Sequence, residues 1–198
     1  MIPRYIALEG VEGAGKSTVI RALADRLHQA GEAVVVVREP GGTPIGEEIR
    51  RMLLHAEGMS EWAEVALFAA SRAELVRQVV YPALEKGAVV LSDRSYYSSL
   101  AYQGGGRGLG IPEVREINER VLGGIEPHLV VVLRVDPEVG FARETGRDRI
   151  GGEGIDFQRA VAHSYTRLAA EDPRVVIVDA ERPVDEVVDE VMAMVVER

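Results

Sequence analysis

The chain of 198 residues has no cysteine, only two lysines and a single asparagine, and aromatic residues make up just 5% of it. Without cysteine there are no disulfides, no thiolate nucleophile and no cysteine-ligated zinc, a composition compatible with a reducing cytoplasm. The four histidines, His28, His55, His128 and His163, show no metal-ligand spacing. No apolar run approaches the roughly 18 residues that a membrane helix needs, and no basic segment followed by a long apolar stretch opens the sequence. These features predict a soluble, unexported, cytoplasmic protein with no membrane partner. Positive charge is also scarce, with a net charge of −9. A broad nucleic-acid or anionic-membrane surface would need a large positive field, so a nucleic-acid partner is not expected. Small phosphate ligands need only local arginines and remain open.

What is present begins with Gly10 to Ser17, which reads GVEGAGKS. This Gly-x-x-x-x-Gly-Lys-Ser run follows the apolar stretch Tyr5 to Leu8 and leads into the helical pattern of Thr18 to Ala30. Strand, glycine turn and helix start are the context of a phosphate cradle. Glycines let backbone N–H groups converge on phosphate oxygens, and the helix N-terminus adds partial positive charge. The expected nucleotide-binding residues are Gly10, Val11, Glu12, Gly13, Ala14, Gly15, Lys16, Ser17 and Thr18. Lys16, one of the two lysines, would reach the outer phosphates, and Ser17 would face Mg²⁺.

Short β-branched runs at Tyr5 to Leu8, Ala33 to Val37, Ala88 to Leu91, Leu129 to Val135 and Val175 to Val178 alternate with helical patterns. Helices are predicted at about 16–30, 44–55, 60–86, 95–103, 112–123, 136–145, 155–171 and 184–197. Near-continuous apolar strands separated by helices indicate a parallel sheet covered on both faces, a three-layer α/β domain. At 198 residues and 46% hydrophobic, a single domain over 1–198 is expected. Ligands of open α/β sheets lie outside the C-terminal strand ends. Those ends carry the glycine loop, Arg38-Glu39-Pro40, Asp93-Arg94, the segment after Val135, and Asp179.

Several of these segments carry chemistry. A negative charge in the glycine loop would repel a triphosphate, so Glu12 is expected to face away from ATP, either toward a hydroxyl-bearing acceptor or into solvent. Asp93 ends the third apolar strand, where a carboxylate can reach Mg²⁺ or its water shell. Arg94 follows it in place of a second acid, which suggests transfer to a phosphate-bearing substrate and not to water. Gly146 to Gly154 reads GRDRIGGEG. With Arg143 before it and Arg147 and Arg149 inside it, a lid over about 143–155 is expected. Trp62, Val65, Phe68 and Ala69 are expected in the core, with Phe68 and Arg72 on one helix face. Gly104-Gly105-Gly106 is expected to end a helix.

Taken together, EGVEGAGKST at Glu9 to Thr18, REPGGTPIGEEIR at Arg38 to Arg50, LFAASRAEL at Leu67 to Leu75 and LSDRSYYSSLAYQGGGRG at Leu91 to Gly108 resemble bacterial thymidylate kinases over nearly the whole chain. The resemblance implies the P-loop nucleoside-monophosphate-kinase fold, with a five-stranded parallel sheet, a mobile lid and assembly as a homodimer. It also implies transfer of the ATP γ-phosphoryl group to dTMP, with Mg²⁺ as cofactor at Ser17 and Asp93. By that resemblance Glu12 would bind the acceptor's 3′-hydroxyl, Phe68 would stack on thymine and Arg72 would bond its carbonyl. Arg94, with Arg38 or Arg50, would hold the monophosphate. Ser98, Ser99 and Gln103 would contact base or sugar, Tyr102 would crowd the 2′ position, and Glu39 would join the pocket. Lys16, Arg94 and the lid arginines Arg143, Arg147 and Arg149 would be catalytic. The chain departs from the family pattern at Arg134 and Gly151. Two other readings are a kinase for a different small acceptor and a guanine-nucleotide switch. The switch reading lacks its Asn-Lys-x-Asp signature, since Asn118 is followed by Glu119.

Overall fold

In a computed structural model of the chain, residues 4–143 and 149–197 are described. Five strands, β1 (Tyr5–Glu9), β2 (Val34–Arg38), β3 (Val89–Asp93), β4 (Leu129–Arg134) and β5 (Val175–Asp179), form one parallel sheet in the order β2-β3-β1-β4-β5. The inner strands β1 and β3 and the body of β4 are buried, which is why their sequences are apolar without alternation. The edge strands β2 and β5 are only partly buried.

Helices cover the sheet in two layers. The first contains α1 (Lys16–Gln29) and α9 (Val184–Glu197), which pack on each other and on the sheet through Val19, Leu23, Val188 and Val191. The second contains α3 (Glu61–Leu75), α5 (Tyr96–Ser99), α6 (Ile111–Leu122) and α8 (Ile155–Glu171), with α2 (Pro44–His55) packed against α3. Each fully buried Val, Leu or Ile contributes roughly 1.5–3 kcal/mol. A smaller apolar cluster of Tyr5, Val37, Leu75, Val80 and Val90 lies under α4 (Tyr81–Glu85).

The predicted 60–86 helix runs as α3, a π-helical segment Val76–Val80, and α4. Helical structure runs three residues past the predicted 103, and the three glycines end it as expected, from inside its last turn. A π-helical stretch, Leu100–Gly106, continues α5 through all three glycines. The reason is close packing: a Cβ on Gly105 would collide with the Ser164 side chain, and one on Gly106 would meet Phe157. Gly123, by contrast, ends α6 in the left-handed conformation that favours glycine. Trp62 corrects the expected core face, being 46% exposed while Val65, Phe68 and Ala69 are buried. It occupies the outward side of the first turn of α3, beside exposed Glu61. Among the described residues no helix is long and apolar enough to cross a membrane.

Candidate active site

Strand β1 pairs with β3 on one side and β4 on the other, so the chain diverges to either side beyond its C-terminal end. The glycine loop fills that crevice. Gly13 has φ 71°, and a Cβ there would collide with the Gly140 carbonyl of α7 (Pro137–Arg143). Only glycine lets the loop lie this close to its neighbour. At Gly15 the backbone turns left-handed into α1, whose N-terminus has no side-chain cap. Backbone donors there are left for an anion.

Lys16 is buried, and its Nζ donates to the carbonyls of Gly10 (3.2 Å) and Val11 (3.0 Å). Burial, aided by the nearby Arg94 guanidinium, pushes its pKa down to about 8. Ser17 donates its hydroxyl to Asp93 at 2.8 Å, so the two expected metal-site residues meet directly.

Arg94 is the hub of the site. Its backbone has φ 72°, a conformation rarely taken by a long side chain and costly by about 1–2 kcal/mol. Its guanidinium pairs with Glu12 at 2.6 Å and donates to the Gly10 carbonyl (3.1 Å), Ser98 Oγ (3.2 Å) and the Tyr102 hydroxyl (3.2 Å). The guanidinium carbon also lies 4.9 Å from the Tyr102 ring centre. Burial alone would raise the Glu12 pKa, but Arg94 and then Lys16 outweigh it and hold the carboxyl below its usual value. Burial raises the Tyr102 hydroxyl well above an ordinary phenol, so it stays protonated.

Two cavities meet at this hub. One, of about 410 Å³, is lined by the glycine loop from Glu12 to Thr18 together with Arg38, Glu39, Arg50, Asp93 and Arg94. The other, of about 110 Å³, is lined by Glu12, Arg50, Leu54, Phe68, Arg94, Ser98, Tyr102, Gln103 and Ile150. Glu12, Arg50 and Arg94 belong to both. A polar, cationic chamber therefore opens at a shared wall onto a smaller pocket with an aromatic ring.

Under this wall lies a buried polar layer. Glu9 is fully buried and accepts from the Ser95 amide (2.7 Å), the Ser98 amide (3.2 Å) and the hydroxyls of Ser95 (2.8 Å), Ser98 (2.6 Å) and Tyr165 (2.7 Å). A carboxylate so satisfied at the start of α5 fixes the turn that carries Arg94 and Ser98. Arg72 lies beneath the small pocket rather than on its wall. It pairs with Glu39 at 2.6 Å and donates to Asn118, the Ser95 carbonyl and Ser99. Ser99 is buried in the same layer. Burial pushes the Glu39 carboxyl up against the pull of Arg72, and its Oε1 has no hydrogen-bond partner among the described residues.

The expected arginines divide. Arg50 lines both cavities and donates to the Pro40 carbonyl at 2.9 Å. Arg38 faces the larger cavity, held by both oxygens of Glu47 at 2.9 Å. Arg143 ends α7 exposed to solvent, and Arg147 lies outside the described residues. Arg149 is held by the helices beside the small pocket. It pairs with Glu64 at 2.8 Å and donates to the Leu53 carbonyl at 2.9 Å, so it binds α2 and α3. Of the departures, Arg134 is exposed beside Asp179 (3.8 Å), and Gly151 opens a short 3₁₀ turn, Gly151–Glu153.

Comparison with known proteins shows the family. Residues 8–191 match the family model described as thymidylate kinase. The chain belongs to the thymidylate kinase family. A thymidylate kinase of Deinococcus radiodurans is 48% identical over 98% of this chain and 97% of its own length. One from Symbiobacterium thermophilum is 46% identical over 98% and 92%, and one from Halothermothrix orenii is 47% identical over 92% and 91%.

Sequence reasoning within this family pattern missed the roles of Glu9, Glu64 and Asn118. Glu64 had a signal: with Phe68 and Arg72 it forms a four-residue series whose two ends, eight residues apart, are charged on an otherwise apolar face. Glu9 had one too, as an acid closing a fully buried strand.

Proposed function

We propose that this chain is a thymidylate kinase that transfers the γ-phosphoryl group of ATP to dTMP, giving dTDP and ADP. The observation that carries this reading is the shared wall of Glu12, Arg50 and Arg94 between the glycine-loop chamber and the Phe68 pocket. ATP phosphates occupy the chamber on the backbone donors of residues 13–18 and on Lys16. The acceptor base lies against Phe68 with Gln103 and Ser98 at its edge, and its phosphate reaches Arg94, Arg50 and Arg38. Glu12 offers its carboxylate to the acceptor sugar hydroxyl, and Tyr102 stands beside it. Arg72, Ser99 and Glu39 act from the buried layer as the floor of that pocket.

A phosphate oxygen of dTMP attacks the γ-phosphorus, the bond from that phosphorus to the β,γ-bridging oxygen breaks, and ADP leaves. The acceptor is already an anion, so no strong base is required. Catalysis is positioning and charge neutralisation by Lys16 and Arg94, with Arg143 and Arg147 as further candidates from the lid segment. The residues fit Mg²⁺. Ser17 and Asp93 offer a hydroxyl and a carboxylate side by side, and Mg²⁺ takes few protein ligands, filling the rest of its shell with water and phosphate oxygens. When bound, the ion neutralises charge on the phosphates. Ile45, Met52 and Trp62, exposed on α2 and α3, supply apolar surface for a homodimer. The composition suits a cytoplasmic enzyme.

An ADP-release assay with ATP and a panel of dTMP, dUMP, UMP, dCMP and dGMP tests the reading. The expected result is a clear preference for dTMP in kcat/KM. Preference for any other acceptor contradicts it.

A further inference from the structure

Glu64 is a carboxylate with 1% exposure, placed outside the phosphate machinery on the same face of α3 as Phe68. Its two oxygens are occupied differently. Oε1 accepts from the Gln103 side-chain nitrogen at 2.7 Å and from Arg107 Nε at 3.4 Å. Oε2 accepts from Arg107 Nη2 at 3.1 Å and pairs with Arg149 Nη1 at 2.8 Å. Guanidinium groups carry donors and no acceptor, so against Arg107 and Arg149 both Glu64 oxygens are committed as acceptors. Gln103 must therefore turn its NH₂ toward Glu64. Its carbonyl oxygen is the end left for the 110 Å³ pocket, whose wall Gln103 forms.

We propose that Glu64 is a specificity-determining positioning residue: by fixing the side-chain amide of Gln103 it makes the pocket demand a hydrogen-bond donor on the acceptor base. The inference rests on the Phe68–Gln103 pocket being the base site. A pyrimidine with an imide N3–H, such as thymine, donates to the presented carbonyl. Cytosine, whose N3 is an acceptor, meets oxygen with a lone pair and leaves both buried groups unpaired, the kind of mismatch that discriminates strongly. The same carboxylate holds Arg149, whose neighbour Ile150 lines the pocket beside Leu54, so one acid sets both the polar edge and the apolar roof. Arg149 is on this account an anchor for the pocket and not a ligand of the phosphates.

Glu64→Gln tests this with little change of shape. Its carbonyl is drawn to the Arg107 and Arg149 donors on the Oε2 side, which places its NH₂ against Gln103 and turns that amide around. Measured with dTMP and with the 5-methyl-dCMP that differs from it at the N3–C4 edge, the kcat/KM preference of Glu64→Gln for dTMP is expected to fall by at least about tenfold. Glu64→Asp, which keeps the accepting oxygens, should retain most of the preference. An unchanged ratio in Glu64→Gln, or an equal loss in Glu64→Asp, overturns the proposal. If Glu64→Gln does not fold, a structure of the unsubstituted enzyme with dTMP decides: N3 on the Gln103 carbonyl supports the proposal, and a base out of reach of Gln103 overturns it. Failure of the unsubstituted enzyme to use dTMP would instead strike the assigned activity.

Discussion

At the scale of single residues, the account turns on cations placed at cost. Lys16 is buried, and burial first and the Arg94 guanidinium second lower its pKa to about 8 against the opposing pull of Glu12 and Asp93. Only the ammonium attracts phosphate, so kcat/KM for ATP should fall as pH rises through about 8. At saturating ATP the bound phosphates should move that limb of the kcat profile to higher pH. Stability runs the other way. From about 8 up to the usual lysine value of 10.5 the unfolded chain holds the extra proton, so this group makes folding more favourable as pH rises. Replacing Lys16 with Ala should cost on the order of 10²-fold or more in kcat and remove the basic limb assigned to it. A Lys16→Ala enzyme with near-normal turnover in the ADP-release assay would remove Lys16 from the mechanism. Lys16, Ser17, Asp93 and Arg94 were legible in the sequence because each sits at a strand end or in a motif whose spacing fixes its direction. Glu9 and Glu64 showed only as acids in apolar surroundings, with nothing to say what they bind. Their partners, Tyr165 for the one and Arg149 for the other, lie far along the chain, and spacing says nothing about contacts of that kind.

At the scale of elements, the glycine loop is shaped by its close packing against α7. Gly13 and Gly15 both have positive φ, but only Gly13 has a backbone carbonyl where a Cβ would stand; at Gly15 that space is open. Gly15→Ala should therefore show conformational strain alone, about 1 kcal/mol. Gly13→Ala adds a collision with Gly140 and should lose about 1–3 kcal/mol more, seen as a larger drop in Tm. Equal melting temperatures for the two variants would show that the loop does not depend on that close approach. The strands were readable as continuous apolar runs, since burial on both faces erases alternation. Gly104–Gly106 end the helix as expected, but the reason for glycine there was not readable, because the packing of α8 that demands it lies more than fifty residues downstream. Trp62 was misplaced for a related reason. Helical spacing put it near the apolar stripe, yet the first turn of α3 leaves that side open to solvent.

At the scale of the whole molecule, the parallel sheet collects onto one edge residues that are remote in sequence. Glu12, Asp93 and Arg94 converge because β1 and β3 are neighbours with their C-terminal ends level, Leu8 standing opposite Asp93. Strand alternation alone indicates a parallel sheet but not the order β2-β3-β1-β4-β5, so the meeting of Glu12 with Arg94 is a product of topology. The central claim is that two anionic tails meet across that shared wall. A crystal structure with dTMP and a non-hydrolysable ATP analogue tests it most directly. The account predicts thymine against Phe68, the analogue's phosphates on Lys16, and Arg94 touching the acceptor phosphate between them. Thymine bound elsewhere, with Arg94 contacting neither phosphate, would contradict it.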